Sequence, residues 1–100
     1  MEKRSPHYDL ANIQTDVKQL GVAAFTRTAF DGGRAMGLTS SEMLAVVAAL
    51  GRRDFFKSMT TYADHQVWQD VHHRATPVGK DAYIKPTLRD GAPVIRFKEK

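Results

Sequence analysis

The stretch DFFKSMTTYADHQVWQDV, at residues 54–71, brings Lys57 and Gln69 close together in the chain, and Tyr83 and Lys98 follow later. Side chains of these types can transfer protons and stabilise negative charge without a metal ion. When RNA is cleaved by its own 2′-hydroxyl group, one group removes the hydroxyl proton and another protonates the leaving 5′-oxygen, while cations stabilise the extra charge on phosphorus. The residue types therefore favour phosphate chemistry on RNA.

Other catalytic chemistries find little support. The chain has no cysteine, which excludes thiol nucleophiles, thiolate metal sites and disulfides. No nucleophile elbow surrounds a serine, and the aromatic region has too few acids for a paired-carboxylate site. His65, His72 and His73 do not have the pattern of metal ligands, because adjacent histidines on a strand point to opposite faces. The sequence therefore predicts neither a metal nor a cofactor.

Length and composition indicate one globular domain over residues 1–100. Hydrophobic residues make up 42% of the chain and charged residues 26%, which is the balance of an ordinary soluble globule. A chain of this length can build one core but no second independent domain. The first residues are charged where a signal peptide is apolar, and no apolar run approaches the roughly 20 residues of a membrane span. We therefore expect a cytoplasmic protein.

The positive charge is concentrated in the second half of the chain. The net charge is +4; residues 1–50 carry five Lys/Arg against five Asp/Glu, whereas residues 51–100 carry ten against six. This asymmetry indicates a polyanionic partner, although a positive face that is merely solvated would give the same counts.

Helical patterns occupy the first half. Four apolar residues at helical spacing predict an amphipathic helix over residues 10–20, and Gly21 stands where a helix stop is expected. Residues 22–37 fit a short strand followed by a helix, and the pair Gly32-Gly33 is unfavourable within that helix.

A second helix start is marked by local side-chain chemistry. Thr39 and Glu42 fit a capping box, and Leu38 and Met43 stand at the positions of the hydrophobic staple. We therefore predict a buried helix over about residues 40–50.

The second half of the chain has the composition that is typical of strands. Aromatic and β-branched residues between turn formers predict strands in four segments, KSMTTY (57–62), QVWQDVH (66–72), DAYIKPTLR (81–89) and APVIRFKE (92–99). Helices followed by strands, without alternation, predict an α+β fold in which helices pack on one face of a small, largely antiparallel sheet.

The pair Asp90-Gly91 predicts a type I′ hairpin and sets its register. The predicted pairs are Ile84–Phe97, Thr87–Val94, Lys85–Arg96 and Tyr83–Lys98. Alternation then separates a core face, with Ile84, Leu88, Ile95 and Phe97, from a second face, with Tyr83, Lys85, Arg96 and Lys98. Two facing cations, Lys85 and Arg96, cost roughly 0.2–1 kcal/mol unless an anion relieves them. Pro86 indicates a sheet edge or a bulge.

The segments DFFKSMTTYADHQVWQDV (54–71), EKRSPH (2–7) and FKEK (97–100) closely resemble the motility quorum-sensing regulator toxins, the MqsR family of bacterial toxin–antitoxin systems. The resemblance implies a RelE-like fold and a sequence-selective mRNA endoribonuclease that does not need the ribosome. It also implies a cognate antitoxin with a zinc-binding N-terminal domain and a DNA-binding C-terminal domain.

The family's active-site positions fall on Lys57, Gln69, Tyr83 and Lys98. The resemblance thus implies that these residues are catalytic. We expect Tyr83 or Lys98 to act as general acid or base and Gln69 to orient RNA. Lys57, Lys85 and Arg96 should stabilise the charge on the phosphorane. We expect Lys85, Arg96 and His65 to contact RNA. Trp68 points away from Gln69 along its strand, so we predict that it lies in the core.

The sequence also fits a non-catalytic function. The same basic face would serve a regulatory module that binds nucleic acid or a partner protein, and each residue taken singly also fits an ordinary structural role.

Overall fold

Five antiparallel strands form one sheet, and three α-helices cover one of its faces. The computed structural model describes all residues, 1–100. The helices are α1 (Leu10–Leu20), α2 (Arg27–Ala35) and α3 (Ser40–Ala49). The strands are β1 (Glu2–Lys3), β2 (Phe55–Thr60), β3 (Trp68–Ala75), β4 (Asp81–Arg89) and β5 (Ala92–Glu99), and they lie side by side in chain order. The α+β prediction is confirmed, and the implied RelE-like label is consistent with this architecture.

Local capping chemistry determines where the helices begin. The side chain of Asp9 accepts a hydrogen bond from the backbone N–H of Asn12 at the start of α1. Gly21 ends α1 with a φ of 62°, a conformation that favours glycine. The predicted capping box of α3 is present, since Thr39 and Glu42 exchange side-chain to backbone hydrogen bonds.

The segment before α2 differs from the prediction. Residues 21–24 form a 3₁₀ turn instead of a strand, and only Phe25 makes an isolated bridge, to Ile95 of β5. The predicted helix follows it as α2. Gly33 lets α2 and α3 approach closely, because a Cβ atom there would lie 2.3 Å from the Sδ atom of Met43 and would force that side chain to move. Close helix packing therefore explains a glycine that helix propensity alone disfavours.

The β4–β5 hairpin has the predicted register. All four predicted pairs are present, and Asp90 and Gly91 both have positive φ values, 52° and 78°, as a type I′ turn requires. Ile84 and Ile95 are fully buried against the helices. The hairpin therefore anchors the core on one face and leaves the other face free for polar side chains.

Pro86 lies on an inner strand, at a point where that strand has no pairing with β3. Strand β4 lies between β3 and β5, but the pairing of β3 with β4 ends at His72–Ile84. Beyond that point the hydroxyl of Tyr8 donates to the carbonyl oxygen of Trp68 at 2.9 Å. The hydroxyl group of Tyr8 therefore satisfies the carbonyl oxygen of Trp68, where the hydrogen-bond ladder between β3 and β4 stops before Pro86.

An N-terminal strap, residues 1–8, crosses the strands beside the helices and was not predicted. Its β1 residues pair with β2, and its end is held by Asp70, whose carboxylate accepts from the backbone N–H groups of His7 and Tyr8. The strap also corrects the prediction for Trp68. That residue is half-buried beneath His7, whose ring stacks on it at 5.2 Å, and lies outside the hydrophobic core.

None of the helices is long and apolar enough to cross a membrane.

Candidate active site

Four polar side chains of the β4–β5 hairpin project from the face opposite the helices. Tyr83 is directly across from Lys98, and Lys85 is directly across from Arg96. Lys98 and Arg96 are exposed, whereas Tyr83 and Lys85 are half-buried. Because the strand period is two, these four side chains lie on one surface, which we call the basic face. It is the predicted cluster of cations and one phenol.

Strands β2 and β3 extend the basic face toward the N-terminus. Lys57 is paired with Val71, and Gln69 is paired with Met59, so Lys57 and Gln69 share the same side of the sheet. A register shift between residues 55 and 57 precedes Lys57. The structure therefore places Lys57, Gln69, Tyr83 and Lys98 on one face, with Lys85 and Arg96 beside them.

The strap contributes one acid to the basic face. The carboxylate of Glu2 accepts a hydrogen bond from the Nζ atom of Lys57 and forms an ion pair with it. This hydrogen bond and the positive charge of Lys57 lower the pKa of Glu2 below its usual range. Lys57 is thereby paired with a carboxylate, an arrangement that depends on residues 55 positions apart in the chain.

Lys85 lies in a very different electrostatic environment. Its Nζ atom is 5.7 Å from the centre of the Tyr83 ring, and it makes no ion pair with an acid. Burial lowers the pKa of Lys85, and the neighbouring charges of Lys98, Arg96 and Lys57 lower it further. The ammonium form of this lysine is therefore destabilised relative to an ordinary exposed lysine.

A cleft of about 270 Å³ opens beside Lys85. Its walls come from the end of β2, the loop that follows it, and the basic face, through Met59, Thr60, Thr61, Tyr62, Ala63, Gln69, Lys85 and Arg96. Gln69 is 5% exposed, and its side-chain amide makes no hydrogen bond within the protein. Tyr62 lies at the rim of the cleft and is 97% exposed. The cleft thus combines an unpartnered amide, two cations and an aromatic ring.

His73 joins the basic face although the prediction considered it only as a metal ligand. Its ring lies 4.7 Å from the ring of Tyr83 and 4.6 Å from that of Phe56, and its Nε2 atom is buried without a hydrogen-bond partner. Burial, together with the charge of Lys100, lowers its pKa. Period-two alternation from Gln69 through position 71 would have placed His73 on this face.

His65 is not brought into the cluster. It is exposed in the loop between β2 and β3 and does not line the cleft. No group of three or more His, Asp or Glu side chains is arranged to hold a metal ion. His72 and His73 point to opposite faces, as expected, since they pair with Ile84 and Tyr83 respectively.

What this arrangement can do chemically is limited by its residue types. It offers fixed cations for a phosphate, groups that can exchange protons, and an amide for a base or ribose edge. All of them lie on strands of one sheet, so their relative positions are held by the backbone hydrogen bonds.

Comparisons with known proteins identify the family of this chain. A family model described as "Motility quorum-sensing regulator, toxin of MqsA" matches residues 5–99. The chain is also 39% identical, over the full 100 residues of both proteins, to the mRNA interferase toxin MqsR of Escherichia coli (strain K12). The chain therefore belongs to the motility quorum-sensing regulator toxin family.

Proposed function

We propose that this protein is a toxin that cleaves mRNA as an endoribonuclease, with the basic face as its active site. The observation that carries the proposal is the convergence of Lys57, Tyr83, Lys85, Arg96 and Lys98 on one rigid sheet face, next to the cleft that contains Gln69. The relative with 39% identity is named an mRNA interferase, which supports the same activity here.

The proposed reaction is attack of the RNA 2′-hydroxyl on the adjacent phosphorus. Cations of the basic face stabilise the charge that builds up on the phosphorane oxygens, and Lys57, fixed by Glu2, is suited to that role. Tyr83 or Lys98 donates a proton to the leaving 5′-oxygen. The products are a 2′,3′-cyclic phosphate and a 5′-hydroxyl group.

The cleft is the proposed site for a nucleotide next to the scissile bond. The amide of Gln69 presents both a donor and an acceptor to a base or ribose, and the buried side chain has no competing partner in the protein. This arrangement supports sequence selectivity, and we propose that the protein cleaves free mRNA without the ribosome. We also propose that His65 contacts RNA from the neighbouring loop.

We further propose that a cognate antitoxin of the MqsA kind neutralises the toxin, since the family is described as the toxin of MqsA. Its zinc-binding N-terminal and DNA-binding C-terminal domains are part of this proposal. A protein that cleaves mRNA works where mRNA is translated, and the proposed location is accordingly the cytoplasm.

The proposal is tested by incubating the purified protein with a long unstructured RNA, with and without EDTA, and by mapping the ends. Cleavage should persist in EDTA and leave 2′,3′-cyclic phosphate and 5′-hydroxyl ends. Loss of activity in EDTA that magnesium restores would overturn the mechanism. Binding without cleavage under all conditions would support a non-catalytic nucleic-acid-binding module instead.

A further inference from the structure

Lys85 differs from the other lysines in its combination of burial and partners. Three lysines of the chain are half-buried: Lys3, Lys57 and Lys85. Lys3 contacts the ring of His7, and Lys57 is paired with Glu2. Only Lys85 has neither a hydrogen bond nor an ion pair, and it lines the cleft together with Gln69 and Arg96.

The groups that face Lys85 are almost all positive or neutral. They are Lys57 from β2, Gln69 and His73 from β3, Tyr83 along β4, Arg96 and Lys98 from β5, and Tyr62 at the cleft rim. Strand β1 contributes the carboxylate of Glu2 to this face, and that carboxylate forms an ion pair with Lys57. Asp81 and Arg89 lie at the two ends of β4. An amine in these surroundings gives up its proton more readily than an exposed one.

We propose that Lys85 is the general base of the cleavage reaction, an inference that rests on the proposed function. The contrast with Lys57 carries it: one lysine is paired with the carboxylate of Glu2, while the other has no acid partner and is half-buried among cations beside the cleft. The two lysines thus have different tasks. Lys57 stabilises charge on the phosphate, and Lys85 accepts the proton.

The step balances without any further reactant. The neutral amine of Lys85 takes the proton from the 2′-hydroxyl as the 2′-oxygen forms a bond to phosphorus. The bond from phosphorus to the 5′-oxygen then breaks, and this oxygen takes a proton from Tyr83 or Lys98. Lys85 ends as an ammonium group and the acid ends deprotonated, and exchange with water restores both.

Arginine at position 85 separates a base from a cation, because arginine keeps the positive charge but does not deprotonate in proteins. We expect Lys85→Arg to cleave RNA at least about 10²-fold more slowly in single-turnover assays. Its affinity for an uncleavable RNA, with a 2′-deoxy nucleotide at the mapped cleavage site, should stay near the wild-type value. The control is Lys80→Arg, at an exposed lysine paired with Glu99 outside the basic face, which should behave as wild type.

The outcomes are distinct. If Lys85→Arg restores the rate that Lys85→Ala loses, Lys85 acts as a fixed cation and the inference is overturned. If wild type itself cleaves no RNA, the proposed function has failed rather than this assignment.

A second measurement covers the case in which Lys85→Arg does not fold. Arg96→Gln removes one of the charges that act on Lys85, so the rising limb of the cleavage rate against pH should move to higher pH. An unmoved limb in a folded Arg96→Gln variant that still cleaves RNA would overturn the assignment.

Discussion

The two faces of the β4–β5 hairpin are built on the same backbone and have opposite properties. On one face Ile84, Ile95 and Phe97 are buried against the helices. On the other face Lys85 lies opposite Arg96 with no acid between them. The first face stabilises the fold by removing apolar surface from water. The second face brings like charges together, which is unfavourable.

This difference separates stability from activity along single strands. Neighbouring residues in sequence, such as Ile84 and Lys85, serve the core and the basic face in turn because strand side chains alternate. Substitutions on the helix side should therefore change the free energy of unfolding, and those on the basic face should change RNA cleavage. The predictions below test that separation, beginning with the largest expected effect.

The core face should dominate stability. Ile84 is fully buried, so we expect Ile84→Ala to lower the free energy of unfolding by about 2–5 kcal/mol, through lost apolar contact and the remaining cavity. Urea unfolding measures this. Val94→Ala, a truncation at a half-buried position on the opposite face, should cost clearly less. Equal losses for the two variants would contradict the separation of faces.

The basic face should dominate catalysis. Lys57→Ala, Tyr83→Phe and Lys98→Ala should each reduce turnover by roughly 10²-fold or more, as when a proton-transferring or charge-stabilising group is lost. Thermal melts should show an intact fold, and Gln69→Ala should have a smaller effect on rate. Lys18→Ala, on α1 away from the sheet face, is the control. Folded variants that cleave RNA at the wild-type rate would show that the site is misplaced.

The adjacent histidines allow a pH test on the helix side. Burial lowers the pKa of His72 in the folded protein, below the roughly 6.5 of an unfolded histidine. Between the folded and the unfolded pKa of His72, the unfolded chain binds more protons than the folded protein. The free energy of unfolding should therefore be retained above about pH 6.5 and should fall as the pH drops below it. Asp70 and Asp54 oppose the shift without reversing it.

Melting temperatures at several pH values check this for wild type and for His72→Gln. The variant should lose less stability than wild type between neutral and mildly acidic pH. A pH dependence in His72→Gln as steep as that of wild type would rule out a contribution from His72.

The smallest expected change is at Arg96. Arg96→Glu turns a repulsive pair with Lys85 into an attractive one worth about 0.2–1 kcal/mol. The melting temperature of a protein of this size should therefore rise by roughly 1–8 °C. RNA binding should weaken and depend less on salt, because one phosphate contact is lost. Thermal melts and RNA titrations at two salt concentrations measure both. A variant that melts lower than wild type and binds RNA equally well would refute the phosphate-binding role of Arg96.

Much of the fold follows from short-range patterns. The capping box of Thr39 and Glu42 predicts where α3 begins, and Asp90-Gly91 predicts the hairpin register. Both depend on residues a few positions apart, where backbone geometry and hydrogen bonding leave few alternatives. The predicted basic face followed directly, because alternation along two strands of known register requires no further information.

Other features were wrong or missing because they depend on distant contacts. The strand expected before α2 is a 3₁₀ turn with one bridge, at Phe25. Trp68, expected in the core, lies under the strap instead. Two residues are too few to show a strand pattern, so β1 could not be recognised. In each case the partner that decides the structure is far away in the chain.

The sequence by itself determined the three helices, the strands β2 to β5, the hairpin register and the sharing of one face by Tyr83, Lys85, Arg96 and Lys98. These are consequences of local backbone preferences and of a period of two. Only the tertiary structure decided that Glu2 would pair with Lys57 while Lys85 would remain half-buried without an acid. The physical reason is that burial and charge pairing depend on distances in space, which chain neighbours do not specify.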